Sequence, residues 1–209
     1  MNCIVSVAFR EPYVSHSKRQ WSLIYSEDIH MEYFIDELPF KGGVYSENIV
    51  TEFQKSLYGF KPHAIQQALD KEYTKIIWLD PSVLPTVSIQ VLFDSLDTHP
   101  IIARSGEEPL TKMCNAKAKK WFEVTNEDIM DQRTVAGTVY GFNFNNPKAL
   151  EVFNLWKKAE EDGIFGTQDE FMAGHWSDEA CMSLAMYKCG MKKYWEEKFT
   201  YLNQKEIPA

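Results

Sequence analysis

Short unbroken runs of apolar residues take turns with stretches of helical spacing along this chain. Cys3-Ile-Val-Ser-Val-Ala-Phe9, bounded by Arg10-Glu-Pro12, predicts a buried strand that opens the fold. Tyr13 to Tyr25 carries Trp21, Leu23 and Ile24 behind a polar turn and predicts a helix, with His16, Lys18 and Arg19 on its solvated side. His30 to Asp36 predicts a second strand ending in acids, before Leu38-Pro-Phe and the Gly42-Gly43 turn. From Tyr45 to Leu57, Ile49, Val50, Phe53 and Leu57 recur at helical spacing. A clearer helix starts at Pro62, which suits a first helical turn, and passes Ile65 and Leu69 to end before Lys71.

The run Ile76-Ile-Trp-Leu79 then stops at an acid and a proline, which cannot continue a central ladder. Asp80 is thereby delivered to a strand's C-terminal edge, where open α/β sheets bind ligands; an Asp there also serves as a turn former. The order helix, strand, acid predicts that the helix beginning at Pro62 points its N-terminus away from that edge. Lys61 then either reaches inward through a loop or is solvated.

Val87 to Leu96 predicts another helix, and Pro100 to Ala103 a short strand. Arg104 to Trp121 mixes charges with Gly106 and Pro109 and reads as a loop, either a lid or a plain solvated insertion. Val135 to Phe144 predicts a strand in which Gly137 and Gly141 allow close approach of backbone. Pro147 to Lys158 predicts a helix capped by Asn145 or Asn146, with Leu150, Val152, Phe153 and Trp156 toward the core. Glu160 to Gly174 is acidic and loop-like. Ser177 is placed to cap a helix from Asp178 to Cys189 that Gly190 ends, and Trp195, Phe199 and Tyr201 suit a docked terminal strand or tail.

This succession is α/β, and 209 residues suffice for a single domain with a flap. The last residues, Gln204 to Ala209, suit either a natural terminus or a linker within a longer protein. A formal charge of −8 disfavours a nucleic-acid partner held by phosphate neutralisation, while an anionic small ligand would need a local cation or metal. Cys3, Cys114, Cys181 and Cys189 lack zinc spacing and read as reduced thiols. Neither a signal peptide nor a membrane span is discernible, so a cytoplasmic chain is expected.

Gly59-Phe-Lys-Pro-His-Ala-Ile-Gln-Gln-Ala-Leu69, Lys75-Ile-Ile-Trp-Leu-Asp-Pro-Ser-Val83, Ala136-Gly-Thr-Val-Tyr-Gly-Phe142 and Ser177-Asp-Glu-Ala180 resemble, in that order, the blocks of GT-A glycosyltransferases. The likeness spans roughly Cys3 to Tyr187 and is nearest to the capsid-glycosylating domains of large algal viruses. It implies a GT-A-like, Rossmann-related, mixed and mostly parallel sheet flanked by helices. It also implies a nucleotide-sugar donor, a UDP-sugar, and a glycan or glycoprotein acceptor.

In that family the strand ends in Asp-x-Asp, which holds a divalent metal, Mn²⁺ or Mg²⁺, against the donor diphosphate. Here Asp80 matches the first acid, whereas the second is Ser82, a neutral and poorer ligand. The resemblance assigns Val7, Ala8, Phe9 and Arg10 to the base and ribose, and Gly137 to the border of the donor sugar. Lys61 becomes a candidate donor contact, and His175 a second metal ligand or phosphate contact. Asp178 and Glu179 match an acidic pair near the sugar or acceptor, although acids also favour the first turn of any helix. A catalytically weak nucleotide- or sugar-binding domain of a larger assembly is the alternative that Ser82 leaves open.

Overall fold

The computed structural model describes residues 1–8, 13–24, 29–35, 56–86, 88–191 and 202–203. The first apolar run forms β1 (Asn2–Ala8), followed by α1 (Tyr13–Ile24) and β2 (His30–Ile35). α2 (Phe60–Asp70) and β3 (Lys75–Leu79) come next, then a two-residue strand β4 (Leu84–Pro85) and α3 (Gln90–Thr98). β5 (Ile101–Pro109), α4 (Leu110–Met113), α5 (Ala116–Trp121) and β6 (Arg133–Asn143) follow. The remaining elements are α6 (Pro147–Glu161), α7 (Gln168–Met172), α8 (Ser177–Lys188) and β7 (Leu202–Asn203), the last paired with β4.

Among the described residues five strands make one mixed sheet in the order β2-β1-β3-β6-β5. β1 pairs in parallel with β2 and β3, while β6 runs antiparallel to β3 and β5. Alternation sends Val5, Ile76, Trp78 and Phe142 to one face, where α2, α6 and α8 cover them with Ala64, Ile65, Phe153, Trp156 and Leu184. Ile4, Ile77, Leu79 and Val139 go to the other face, beneath Ile24 of α1 and Leu92, Phe93 and Leu96 of α3. The result is three layers, helix on sheet on helix. All four cysteines are free and buried.

Asn146 caps α6 by accepting from Lys148 N, with Pro147 in the first turn as its sequence requires. Leu150, expected in the core, is 39% exposed; Ala149 takes the inward position with Val152, Phe153 and Trp156. Ser177 does not cap α8. It is the first residue of that helix, carries a φ of 31°, and makes no side-chain cap. Most of the helix expected over Tyr45 to Leu57, and Trp195, Phe199 and Tyr201, lie outside the described residues.

Two differences bear on the site. Arg104 to Trp121 is not a loop: β5 continues to Pro109, and α4 and α5 bury Leu110 and Ala118. Among the described residues β5 is an edge strand paired with β6 alone, and charged residues suit such an edge, which is why the segment reads as solvated. The direction of α2 is also the reverse of the expectation. Only Lys71 to Thr74 separate α2 from β3, so the chain doubles back and the first turn of the helix stands beside the last residues of the strand. Lys61 and Asp80 consequently line the same cavity.

Candidate active site

Asp80 follows the last ladder position of β3, and its N–H still reaches across to Thr138 O at 2.9 Å. Its Oδ1 accepts from Ser82 N at 2.9 Å and Ser82 Oγ at 2.7 Å, closing an Asx turn over Pro81. Gln20 of α1 clamps the same turn, donating from Nε2 to Asp80 O at 2.8 Å and Val83 O at 2.6 Å. Oδ2 carries no hydrogen bond among the described residues. The turn therefore fixes the carboxylate by one oxygen and leaves the other to the cavity.

Opposite it, β6 departs from regular pairing. Ala103 faces Tyr140 and Ser105 faces Val135, so two steps of β5 span five of β6. This irregularity takes the backbone of Gly137 out of the ladder with β5 and offers both its polar groups to side chains. Gly137 N donates to Glu179 Oε1 at 2.6 Å, and Gly137 O accepts from Lys61 Nζ at 3.0 Å and Trp78 Nε1 at 3.1 Å.

Lys61 is 3% exposed. Its ammonium donates to Asp178 Oδ2 at 2.6 Å and lies 4.8 Å from the ring centre of Tyr58, 5.6 Å from that of Trp78 and 5.8 Å from that of Tyr140. Burial opposes the charge, but Asp178, Asp80 and Glu179 outweigh it and raise the pKa of the lysine. Asp178 also accepts from Tyr140 OH at 3.3 Å, and Trp156 Nε1 ties its carbonyl at 3.0 Å. Burial pushes the Asp178 carboxyl up against the pull of Lys61 and Tyr140. With the ammonium held as a cation 2.6 Å away, the pair is ionised.

Glu179 is raised to about 7, first by burial and then by the charge of Asp178, against Lys61 and the Gly137 N–H. Between its ordinary 4.5 and about 7 the folded chain holds a proton that the unfolded chain has released. Stability from this group is thus fullest at the acid end of the window and is lost as pH rises through it. That span corresponds to about 3 kcal/mol. Glu179→Gln is expected to exceed the wild type in urea denaturation by up to about this amount at pH 8, the gap closing toward pH 4.5.

These groups line a cavity of about 350 Å³ with Val7 and Ala8 at the end of β1. Its apolar wall is aromatic, formed by Tyr13, Tyr58, Phe60, Phe171 and Trp176, and suits the faces of a base or sugar ring. Tyr58 holds a φ of 62°, a costly conformation for an aromatic residue and one that recurs at functional sites. Phe9 and Arg10 lie outside the described residues. Lys61, Asp80, Gly137, Asp178 and Glu179 converge as a group.

His175 does not join them. Its Nε2 is 2.9 Å from Ile164 O, and its Nδ1 accepts from Asn115 N at 3.4 Å, so backbone groups occupy both ring nitrogens. The ring is buried, which lowers its pKa and keeps it neutral. It is absent from the cavity wall, and the metal-ligand role expected of it is not met in this arrangement. Among the described residues no three His, Cys, Asp or Glu side chains gather as a metal-binding group.

No protein-family model and no curated protein matches the chain. Solved structures do. The chain is similar to mouse xyloside xylosyltransferase 1 in its apo form, with a TM-score of 0.52 and 13% identity over 96% of this chain and 86% of that one. A glycosyltransferase involved in glycosylating the major capsid of PBCV-1 aligns with a TM-score of 0.45 at 16% identity, over 80% of this chain and 69% of that one. The galactosyltransferase LgtC, in complex with donor and acceptor sugar analogues, aligns at 0.44 and 12%, over 90% and 70%. The fold is the GT-A type of the glycosyltransferases.

Proposed function

We propose that the chain is a glycosyltransferase that moves a sugar from a nucleotide-sugar donor, a UDP-sugar, to a hydroxyl of a glycan or glycoprotein. The observation that carries this reading is the convergence of Asp80, Gly137 and the Asp178–Glu179 pair in one aromatic-walled cavity at the C-terminal ends of β1 and β3. Fold analogy alone would not suffice, since one fold hosts many activities. A protein acceptor on a viral capsid, and action in a host cytoplasm, are the narrower form of the reading and rest on the sequence resemblance. No helix among the described residues is long and apolar enough to cross a membrane.

Glycosyl transfer releases a nucleoside diphosphate, and negative charge grows on the departing oxygen. Among the described residues, the carboxylates of Asp80, Asp178 and Glu179 face the cavity against the ammonium of Lys61. Such a site attracts a cation and repels a bare diphosphate. Mg²⁺ and Mn²⁺ suit oxygen ligands, and Mg²⁺ binds through one or two carboxylates plus substrate phosphates. Asp80 fits that pattern through its free Oδ2 and is the residue that would hold the metal. The metal would supply charge neutralisation for the leaving diphosphate. Ser82 is a weaker partner, since its hydroxyl donates to Asp80.

Calorimetric titration with UDP in the presence and absence of Mn²⁺ tests the nucleotide site, and hydrolysis of UDP-glucose, UDP-galactose and UDP-xylose tests turnover. Asp80→Asn is expected to weaken metal-dependent UDP binding at least about tenfold, the scale of losing one charged ligand contact. UDP binding without turnover of any donor would favour the second reading, a nucleotide- or sugar-binding module, for which the commitment of Ser82 to Asp80 speaks. No UDP binding under either condition refutes both.

A further inference from the structure

The aromatic wall of the cavity contains an inversion. Tyr58 carries a φ of 62°, which a glycine adopts freely and an aromatic residue resists, while Gly59 beside it stands at a φ of −58° that any residue adopts. The glycine is therefore not needed for its backbone. It is needed for space: a Cβ on Gly59 would stand 2.5 Å from Ser56 Oγ and 2.6 Å from Glu160 Oε1. Strain of the kind Tyr58 carries persists where the surroundings over-determine it.

Glu160, at the end of α6, supplies much of that determination. It accepts from Ser56 Oγ on Oε1 at 2.6 Å and from His63 Nε2 on Oε2 at 2.9 Å, so one carboxylate grips the chain on both sides of Tyr58. Backbone contacts complete the frame: Leu57 N donates to Gly166 O at 3.2 Å, and Tyr58 O accepts from Lys61 N at 3.1 Å. Glu160, Glu161 and Asp162 crowd the C-terminal end of α6, where negative charge opposes the helix dipole. Glu161 and Asp162 are offset by Lys157 and Lys158 one turn back. Glu160 turns into the fold instead, its side chain 11% exposed, and serves Ser56 and His63.

Held in this way, the Tyr58 ring stands 4.8 Å from Lys61 Nζ and 6.2 Å from the rings of both Phe60 and Phe171. Burial, then the charge of Asp178, raises the pKa of its phenol, as befits a ring beside the acid pair. Asp80 stands at the end of β3 in the same cavity. A donor whose diphosphate meets Asp80 carries its sugar, one bond on, into the space that Tyr58 walls.

We propose that Tyr58 is the platform on which the pyranose ring of the donor sugar lies, and that Glu160, which does not line the cavity, is the positioning residue that holds the platform in place. The inference rests on the glycosyl-transfer reading. A pyranose has an apolar C–H face that packs on an aromatic ring, and its hydroxyl edge is left to the polar groups of the cavity.

Calorimetric titration with UDP and with intact donor, each with Mn²⁺, tests this, the donor being whichever of those named above binds the wild type most tightly. Tyr58→Ala is expected to weaken donor binding about three- to tenfold and to leave UDP within about twofold. Glu160→Ala is expected to reproduce this split, and so is Gly59→Ala, whose new Cβ parts Ser56 from Glu160. A merely structural role would move both ligands or neither. Tyr58→Phe keeps the ring, and Glu160→Gln keeps an acceptor for Ser56 and an amide donor for the other tautomer of His63, so each should recover most of the donor affinity. In the Tyr58→Ala background, Glu160→Ala should cost no further donor affinity, since the two residues act as one unit.

Should Glu160→Ala fail to fold, Ser56→Ala removes the same hydrogen bond from its other end. Donor binding within about twofold of the wild type in Tyr58→Ala, or equal losses for UDP and donor, overturns the proposal. An effect of Glu160→Ala that persists undiminished without the Tyr58 ring refutes the positioning role. So does wild-type donor binding in Glu160→Ala. A wild type that binds UDP and none of the donors also overturns the proposal, because a platform for a pyranose ring should take at least one of them. A wild type that binds no UDP refutes the reading beneath it.

Discussion

Lys61→Met is expected to destabilise the fold by about 3–5 kcal/mol at pH 8, the cost of leaving one member of a buried ion pair without its partner. Among the described residues Asp178 would keep the phenol of Tyr140 alone as a side-chain donor, in a site that already pushes its carboxyl toward protonation. The loss should therefore shrink as pH falls, because a protonated Asp178 no longer needs a counter-ion. Lys61→Met/Asp178→Asn should recover much of the difference, since replacing both partners is far less costly than orphaning one. Urea denaturation of the three chains at pH 8 and pH 5 measures all of this. A loss under about 1 kcal/mol at both values would mean that Lys61 behaves as a surface lysine, whose exposed pairings are worth no more than that.

A solvated lysine is one of the two readings the sequence leaves open, and the reason it fails is geometric. A lysine before a proline at a helix start reads as surface. The short connection from Lys71 to Thr74 turns α2 back onto β3 and delivers its first turn to the strand's end. Lys61 and Asp178 are 117 residues apart, and their meeting depends on the whole sheet being assembled. Asp80 was legible because its cause is local: a buried strand, an acid, a proline. Ser82 reads as a mismatch in a metal motif, whereas the structure shows it holding Asp80 Oδ1 in an Asx turn.

His175 illustrates the opposite failure. The resemblance makes His175 a metal ligand or phosphate contact, yet the chain turns at Ser177 with a φ of 31°, and the imidazole is taken up by Ile164 O and Asn115 N. Tyr58, Phe171 and Trp176 carry no signal in the sequence, because aromatic residues are abundant here and no spacing relates these three. The signal that could have found Tyr140 is the break in alternation along β6. Val135 and Tyr140 face the same core although they stand five positions apart, which requires an irregularity between, and Gly137 lies within it.

Gly137→Ala tests that irregularity most directly, since the glycine is needed there for space. A Cβ on Gly137 would stand 2.7 Å from Lys61 Nζ, 2.9 Å from Glu179 Oε1 and 3.0 Å from Asp178 Oδ2. Ends of long side chains ordinarily swing aside at little cost. Here Lys61 is tied to Asp178 and to Gly137 O, and Glu179 to Gly137 N, so one methyl group must part the ammonium and two carboxylates together. Overpacking of this kind costs about 1–3 kcal/mol, and the variant should still fold. Activity should suffer more than stability, because a shift of about 1 Å in a reacting group is enough for roughly a hundredfold loss of rate. UDP affinity with Mn²⁺ should hold, since Asp80 and its turn are braced by Gln20 and Ser82 and not by Gly137. Thermal denaturation, UDP calorimetry and donor hydrolysis on the same preparation separate the three effects. A Gly137→Ala chain with wild-type turnover would show that Glu179 need not be held by Gly137 N–H to work.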